Sequence, residues 1–599
     1  MADQKTTSGD FFCNPINYSY KYQFNKQPDG SIIASREGAD PSMVFFCGKY
    51  LIFPSMTCGF LYSEDLAHWE FHRLKNMPVY DYAPDVRVVG KWLYFCASNH
   101  KQGVHYRTKD PFSDRYERID GAFPFWDPNL FCDDDGRLYF YWGSSTREPI
   151  YGIQLDRDTL QPIGEKVGLF TADPTIKGFE RTGENHIPER SPEEQKRMLS
   201  HLDRAPMPDS MKQAARDFIT CAPYIEGAWM TKHNGKYYLQ YGASGSRFNV
   251  YGDGVYVSDK PLGPFTLAKN NPFSYKPGGF LPGAGHGSTL EAPDGSAWHV
   301  ATSRITVNHN FERRISLWSV GWDEAGEMFC NQRYGDWPYS AEALRKNVWA
   351  EPEWMLLSYG KTATASSTAE GKTPASVTDE NIRTFWTAEI NTPGQWVQVD
   401  LGKAYDVRAV QVNFGDDHIR PAMPEDAELH GALHQERWID ETAQPTRWLL
   451  EGSWDGESWF MIEDKSAVDT DLPHDLVVRE DGISARFLRL TVISLPYGQA
   501  ACVSGLRVFG LGGSEKPAAA ADVKAQIVND LNCEVSWTGS AMGYNVLWGY
   551  APDKLYHSYL VFTDHVNIGS LVKGQSLYIR VDSFNDSAIT EGSVLCVQE

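Results

Sequence analysis

At 599 residues the chain has room for roughly four structural units of about 150 residues, a number that large β domains lower. Its formal charge of −22 repels nucleic-acid phosphates and anionic lipid, and no Lys/Arg cluster offsets it locally, which argues against nucleic-acid and membrane partners. Aromatic residues at 13%, with 19 Trp and 30 Tyr, favour strands and make an all-β fold the first expectation.

The first residues, "MADQKTTSGDFF", lack the basic start and apolar core of a signal peptide, and no apolar run of about 18 residues follows. A strand-rich pattern then repeats five times. Its copies are "ADPSMVFFCGKYLIF" from Ala39, "APDVRVVGKWLYFCAS" from Ala83, "WDPNLFCDDDGRLYFYWG" from Trp126, "IEGAWMTKHNGKYYLQYG" from Ile225 and "GHGSTLEAPDGSAWHVAT" from Gly285. Each has a polar entrance, a short apolar strand, a Gly-containing turn and a second aromatic-rich strand, which is a β-hairpin pattern. Cys47, Cys96 and Cys132 fall inside these runs, so buried, reduced thiols are expected of them rather than a disulfide framework.

The entrance residues are read as Asp40, Asp85, Asp127, Glu226 and His286, with steps of 45, 42, 99 and 60 residues. A period in the forties suits a four-stranded propeller blade, and the long step is one blade plus an insertion of about fifty residues. In a propeller the innermost strands all start at one end, so five ionisable side chains should meet in one funnel. Crowded like charges shift one another's pKa, and stability gives no reason to gather them. A protonated and an ionised carboxyl on opposite faces of a sugar ring are what glycoside hydrolysis needs.

Asp40 in "ADPS", Asp127 in "WDPNLF", Glu226 in "YIEGAW" and His286 in "GAGHGS" together resemble glycoside hydrolase family 43 over roughly residues 12–345. The resemblance implies an inverting reaction with Asp40 as the base that activates water, Glu226 as the acid, and Asp127 as the group that tunes and orients the acid. It also implies a calcium ion in the channel, held largely through water near His286, or else a purely hydrogen-bonding His286. Asp85 in "APDVR" is either structural or a substrate contact. "NFERRISLWSVGW" resembles the last-blade stretch that supplies a sugar-pocket arginine, assigned to Arg313 over Arg314. Trp126 and Trp229 flank catalytic positions and are expected to pack against sugar or in the core. No organic cofactor is implied.

The polar, proline-broken insertion, about residues 173–220, reads as helical and lies just before Glu226, on the rim, either closing a groove into a pocket or as a solvated excursion. From about Leu357 the chain resembles a discoidin-like (coagulation factor type C) β-sandwich, a sugar-binding module or a brace, whose stretch "DDHIRPAMPEDAELHGALHQERWIDETAQPTRW" either reaches back to the propeller or decorates the sandwich. "GLGGSEKPAAAADV" reads as a linker. The remainder resembles a fibronectin type III domain with Tyr578 at its tyrosine corner. The expected architecture is therefore a five-bladed β-propeller over 1–348 and two β-sandwich domains over 349–512 and 518–599.

The expected activity is removal of terminal furanosyl sugars, α-L-arabinofuranose first, with β-xylosidase or galactan/galactofuranose cleavage as alternatives. The related retaining fructan-active clan carries an arginine before the middle Asp-Pro, where this chain has Trp126. A catalytically dead sugar-binding propeller would lack a carboxylate, and all three are present. The modular plan implies a periplasmic or extracellular setting, with cytoplasmic residence left open.

Overall fold

The computed structural model describes residues 9–597 except 28–29, 79, 99–101, 183–190, 221 and 433–434. Five four-stranded antiparallel sheets follow one another in chain order, each strand pairing with the next. Their first strands are Ser42–Phe46, Asp85–Val89, Asn129–Cys132, Ile225–His233 and Gly285–Glu291. Each first strand packs on the next, and the fifth returns to the first, closing a ring.

Backbone and side-chain chemistry repeat around this ring. The residue two places before the regular strand register begins is left-handed in every sheet: Asp40 (φ 47°), Ala83 (φ 50°), Asp127 (φ 52°), Gly227 (φ 60°) and His286 (φ 48°). Two residues on, a side chain bonds the backbone of the next sheet. Ser42 accepts from Val86 N–H (3.0 Å), Asp85 from Leu130 N–H (2.7 Å) and Asn129 from Met230 N–H (2.8 Å). Trp229 Nε1 donates to Thr289 O at 2.9 Å, and Ser288 accepts from Met43 N–H at 2.9 Å, completing the circle. Buried backbone donors must find partners, and this five-membered stitch supplies them where sheets splay.

The ring corrects the entrance set in two sheets: in the fourth, Gly227 and not Glu226 is the equivalent of Asp40, with Glu226 one residue before it. The true second-sheet equivalent of Asp40 is Ala83, and Asp85 belongs with Ser42, Asn129 and Ser288 in the stitch. Cys47 is also corrected: it is exposed, forming the hairpin tip with Gly48 (φ 52° and 76°), whereas Cys96 is buried and Cys132 half-buried. All nine cysteines among the described residues are free.

The expected insertion forms two helices, Pro192–Arg204 and Asp209–Ile219, packed on each other. Ser191 caps the first through a capping box with Glu194. Arg147–Asp217 at 3.1 Å ties the second to the loop beside Ile225, whose N–H bonds Ser145 O. The pair therefore adjoins the strand carrying Glu226.

Residues from Met355 to Leu511 build one eight-stranded sheet around two long strands, Gln395–Phe414 and His474–Ser494. The stretch from Asp416 to Trp448 reaches back. Its strand Gln435–Asp440 pairs antiparallel with Lys21–Lys26, making a sheet that holds two strands from the N-terminal region and two from the second module. Buried ion pairs fasten the same interface: Arg36–Asp471 (2.8 Å) and Arg507–Asp336 (3.6 Å) cross it, and Lys276 and Glu380 hold Asp336 and Arg507 from their own sides at 2.6 and 2.7 Å.

From Ala521 onward a three-stranded sheet faces a second sheet of five strands, with Cys533, Val535, Trp537, Val546, Trp548 and Ile579 between them. Tyr578 does not make the expected corner: Leu577, Ile579 and Val581 point inward, and Tyr578, one residue out of phase, lies half-exposed beside Cys596. The linker is not free either. Ser514 bonds Ser587 and Asp586, and Phe248, Val250 and Tyr275 of the ring enter this module's core.

Candidate active site

The left-handed turns place Asp40, Asp127 and His286 at one mouth of the ring, and Glu226 joins them because Gly227 takes the fourth such turn. A Cβ on Gly227 would stand 2.7 Å from the His286 ring, so both its φ and its missing side chain are required. His286 Nδ1 lies 3.7 Å from Asp40 Oδ1, 3.9 Å from Asp127 Oδ2 and 3.8 Å from Glu226 Oε1. The Asp40 and Glu226 oxygens are thus no more than 7.5 Å apart, the sum of 3.7 and 3.8 Å.

The three carboxylates sit in different surroundings. Asp40 Oδ2 accepts from Ser55 Oγ at 2.6 Å, and Oδ1 accepts from Arg313 Nη1 at 3.1 Å and Thr302 Oγ1 at 3.4 Å. Burial works to raise its pKa, but Arg313, His286 and the two hydroxyls outweigh it and hold Asp40 below the usual carboxylate range. Asp127 has no arginine: burial first, with Glu226 and Asp40 adding to it, pushes it well above that range against the opposing pull of His286. Glu226, 12% exposed, is the most open of the three, and its Oε1 accepts from Tyr251 Oη at 2.5 Å. Burial depresses His286, yet Asp40, Asp127 and Glu226 together bring it up to about 10, so it is an imidazolium at neutral pH.

The remaining expected residues divide. Arg313 reaches the site, as the partner of Asp40 and Glu37, while Arg314 turns to His474 of the second module at 2.8 Å. Trp126 is half-buried at the mouth with Tyr82, Met56 and Phe311. Trp229 is 4% exposed, bonded to Thr289 O and covered by the Arg87 guanidinium 3.5 Å from its ring centroid, so it belongs to the core. Asp85 is 2% exposed and bonds Asn129 Nδ2 and Leu130 N–H, which keeps it out of the pit; burial pushes it up to about 6.

Sequence reasoning missed Glu37, Ser55, Tyr82, Tyr251, Thr302 and Arg437. Ser55 lies just beyond the second strand of its sheet and Thr302 near the end of the second strand Ala297–Arg304, and the matching place in the second sheet holds Ser98, which accepts from Asp127 N–H at 2.9 Å. That recurrent hydroxyl was a findable signal.

Asp127, Glu226 and His286 bring ligand atoms within 4.8 Å of one another. Calcium takes six to eight oxygen ligands. The carboxylates offer the oxygen donors calcium prefers, but an imidazolium cannot ligate it directly, so an ion there would be held near His286 through water.

Three carboxyl groups gathered in one pit, with one pKa lowered, one raised and the third group open to the mouth, form an arrangement suited to acid–base chemistry. The model of glycosyl hydrolases family 43 matches residues 199–328, which include Glu226 and His286, and the F5/8 type C domain model matches residues 362–504. The chain is 27% identical over 267 residues to a beta-xylosidase of Xylanibacter ruminicola, covering 38% of this chain and 77% of that protein. It is 29% identical over 216 residues to a xylosidase/arabinosidase of Humicola insolens (31% and 56%). A beta-D-galactofuranosidase of Aspergillus niger is 30% identical over 135 residues (22% and 38%). The chain therefore covers between about two fifths and three quarters of these relatives' own lengths. Two stretches of the chain thus match family models, glycosyl hydrolases family 43 first and the F5/8 type C domain after it.

Proposed function

We propose that the five sheets are the blades of a β-propeller, followed by discoidin-like and fibronectin type III-like sandwiches, and that the pit is the centre of an inverting exo-glycosidase. Its substrate is a terminal furanosyl sugar, α-L-arabinofuranose first. Glu226 gives its proton to the glycosidic oxygen as the C–O bond breaks. Water attacks the anomeric carbon from the opposite face and yields its proton to Asp40. Asp127 holds a proton beside Glu226 and orients it. The observation that carries this reading is the contrast around one histidine between Asp40, held below the usual carboxylate range beside Arg313, and Asp127, pushed well above it by burial. A calcium ion held through water at His286 would supply positive charge at the floor, and no step passes through it.

Half-buried Trp126 and Phe311, with Tyr82, supply an apolar wall on the Asp40 side for a sugar face. β-Xylosidase action is the second reading, favoured by the names of two relatives. Turnover of 4-nitrophenyl glycosides tests both: the arabinofuranoside should be the better substrate, and cleavage of the xylopyranoside alone would replace the first reading by the second.

A further inference from the structure

Glu37 joins the second module to the pit. It is 5% exposed, and its two oxygens are divided between two arginines. Oε1 accepts from Arg313 Nε at 3.2 Å and from its Nη2, and Oε2 accepts from Arg437 Nη1 at 2.9 Å. Arg313 then uses Nη1 on Asp40 Oδ1 at 3.1 Å. Arg437 is fully buried and also donates to Gln23 Oε1 and Tyr82 Oη. The strand ladder fixes it in place: Asn25 pairs with Arg437, Phe24 with Trp438 and Gln23 with Ile439, and the Phe24 and Trp438 rings meet at 4.7 Å.

We propose that Arg437 is a positioning residue for Asp40, acting through Glu37 and Arg313, so that the hairpin of the second module completes the catalytic pit. The proposal rests on Asp40 being the water-activating group. A buried carboxylate deprived of one cation draws the other into a bidentate grip. Without Arg437, Glu37 would turn to take Arg313 Nε and Nη2 on separate oxygens, and the guanidinium that follows it would carry Nη1 off Asp40. Asp40 would keep Ser55, Thr302 and His286, but lose the guanidinium that aims it. Arg437 and Arg313 both lie over Tyr82 (5.0 and 5.7 Å) and Phe311 (5.8 and 4.8 Å), so the apolar wall of the pit shares the same junction. His309, kept neutral by burial and these two arginines, does not compete for Glu37.

The test uses the full chain with Arg437→Met and Arg437→Lys, measured by kinetics on the aryl furanoside and by crystallography. For Arg437→Met, kcat should fall about tenfold to a hundredfold with KM within about twofold, because orientation and not binding is lost. Arg437→Lys, which keeps the charge without the fork, should fall between. The crystal of Arg437→Met should show Arg313 on both Glu37 oxygens and away from Asp40. An unchanged Arg313–Asp40 contact, or a wild-type kcat in the folded variant, overturns the proposal. Should the Met variant not fold, the Lys variant decides by the same two criteria. A wild type that cleaves no glycoside would end the hydrolase reading, whereas the crystal comparison needs no turnover.

Discussion

Asp40 and Asp127 face the same imidazole nitrogen yet shift in opposite directions, because Arg313 stands beside Asp40 while Asp127 has His286 but no arginine against its burial and its carboxylate neighbours. Replacing Arg313 by Ala should therefore raise the pKa of Asp40 and move the acidic limb of the kcat/KM profile to higher pH; an unmoved limb would contradict Asp40 as the base. Glu226→Gln should lower kcat about 10²–10⁴-fold while the protein still binds sugar. For His286 the folded pKa, about 10, lies above the ordinary 6.5. Its attraction to the carboxylates is fully present below about pH 6.5 and is lost as pH rises toward 10. The melting-temperature gap between wild type and His286→Gln should shrink across that window, and a constant gap would refute the charged imidazole.

At the scale of elements, the repeated stitch explains why short strands at the ring centre hold together. Asp85→Ala removes the acceptor for Leu130 N–H and should cost about 1–3 kcal/mol of stability, read by denaturant unfolding, with kcat of the folded enzyme close to wild type. A large loss of kcat at full stability would return Asp85 to the sugar site. The repeat, the five hairpins and Asp40, Asp127, Glu226 and His286 were legible in the sequence because hairpin turns and apolar strands leave a period. The registers of the second and fourth sheets were not, because Asp85 and Glu226 carry the visible charge, while the feature that recurs is a left-handed backbone, at Ala83 and Gly227, which carry none. Tyr578 failed for a related reason: one residue of phase exchanges the two faces of a strand.

For the whole molecule, boundaries drawn from composition hide continuous packing. One core cluster contains Phe12 and Trp298 of the ring region, Phe509 of the second module and Phe584 of the third. Arg437 could not be found from sequence, since nothing local marks a residue that bonds Glu37 across 400 positions. Calorimetry should show a single cooperative unfolding transition, and residues 1–348 alone should lack activity; separate transitions, or an active fragment, would make the modules independent.

The central claim is the division of labour between Asp40 and Glu226 across the anomeric carbon. Proton NMR of the first sugar released from 4-nitrophenyl α-L-arabinofuranoside reads it directly. The account predicts β-L-arabinofuranose, appearing before mutarotation mixes the anomers; initial release of the α anomer would show retention and contradict it.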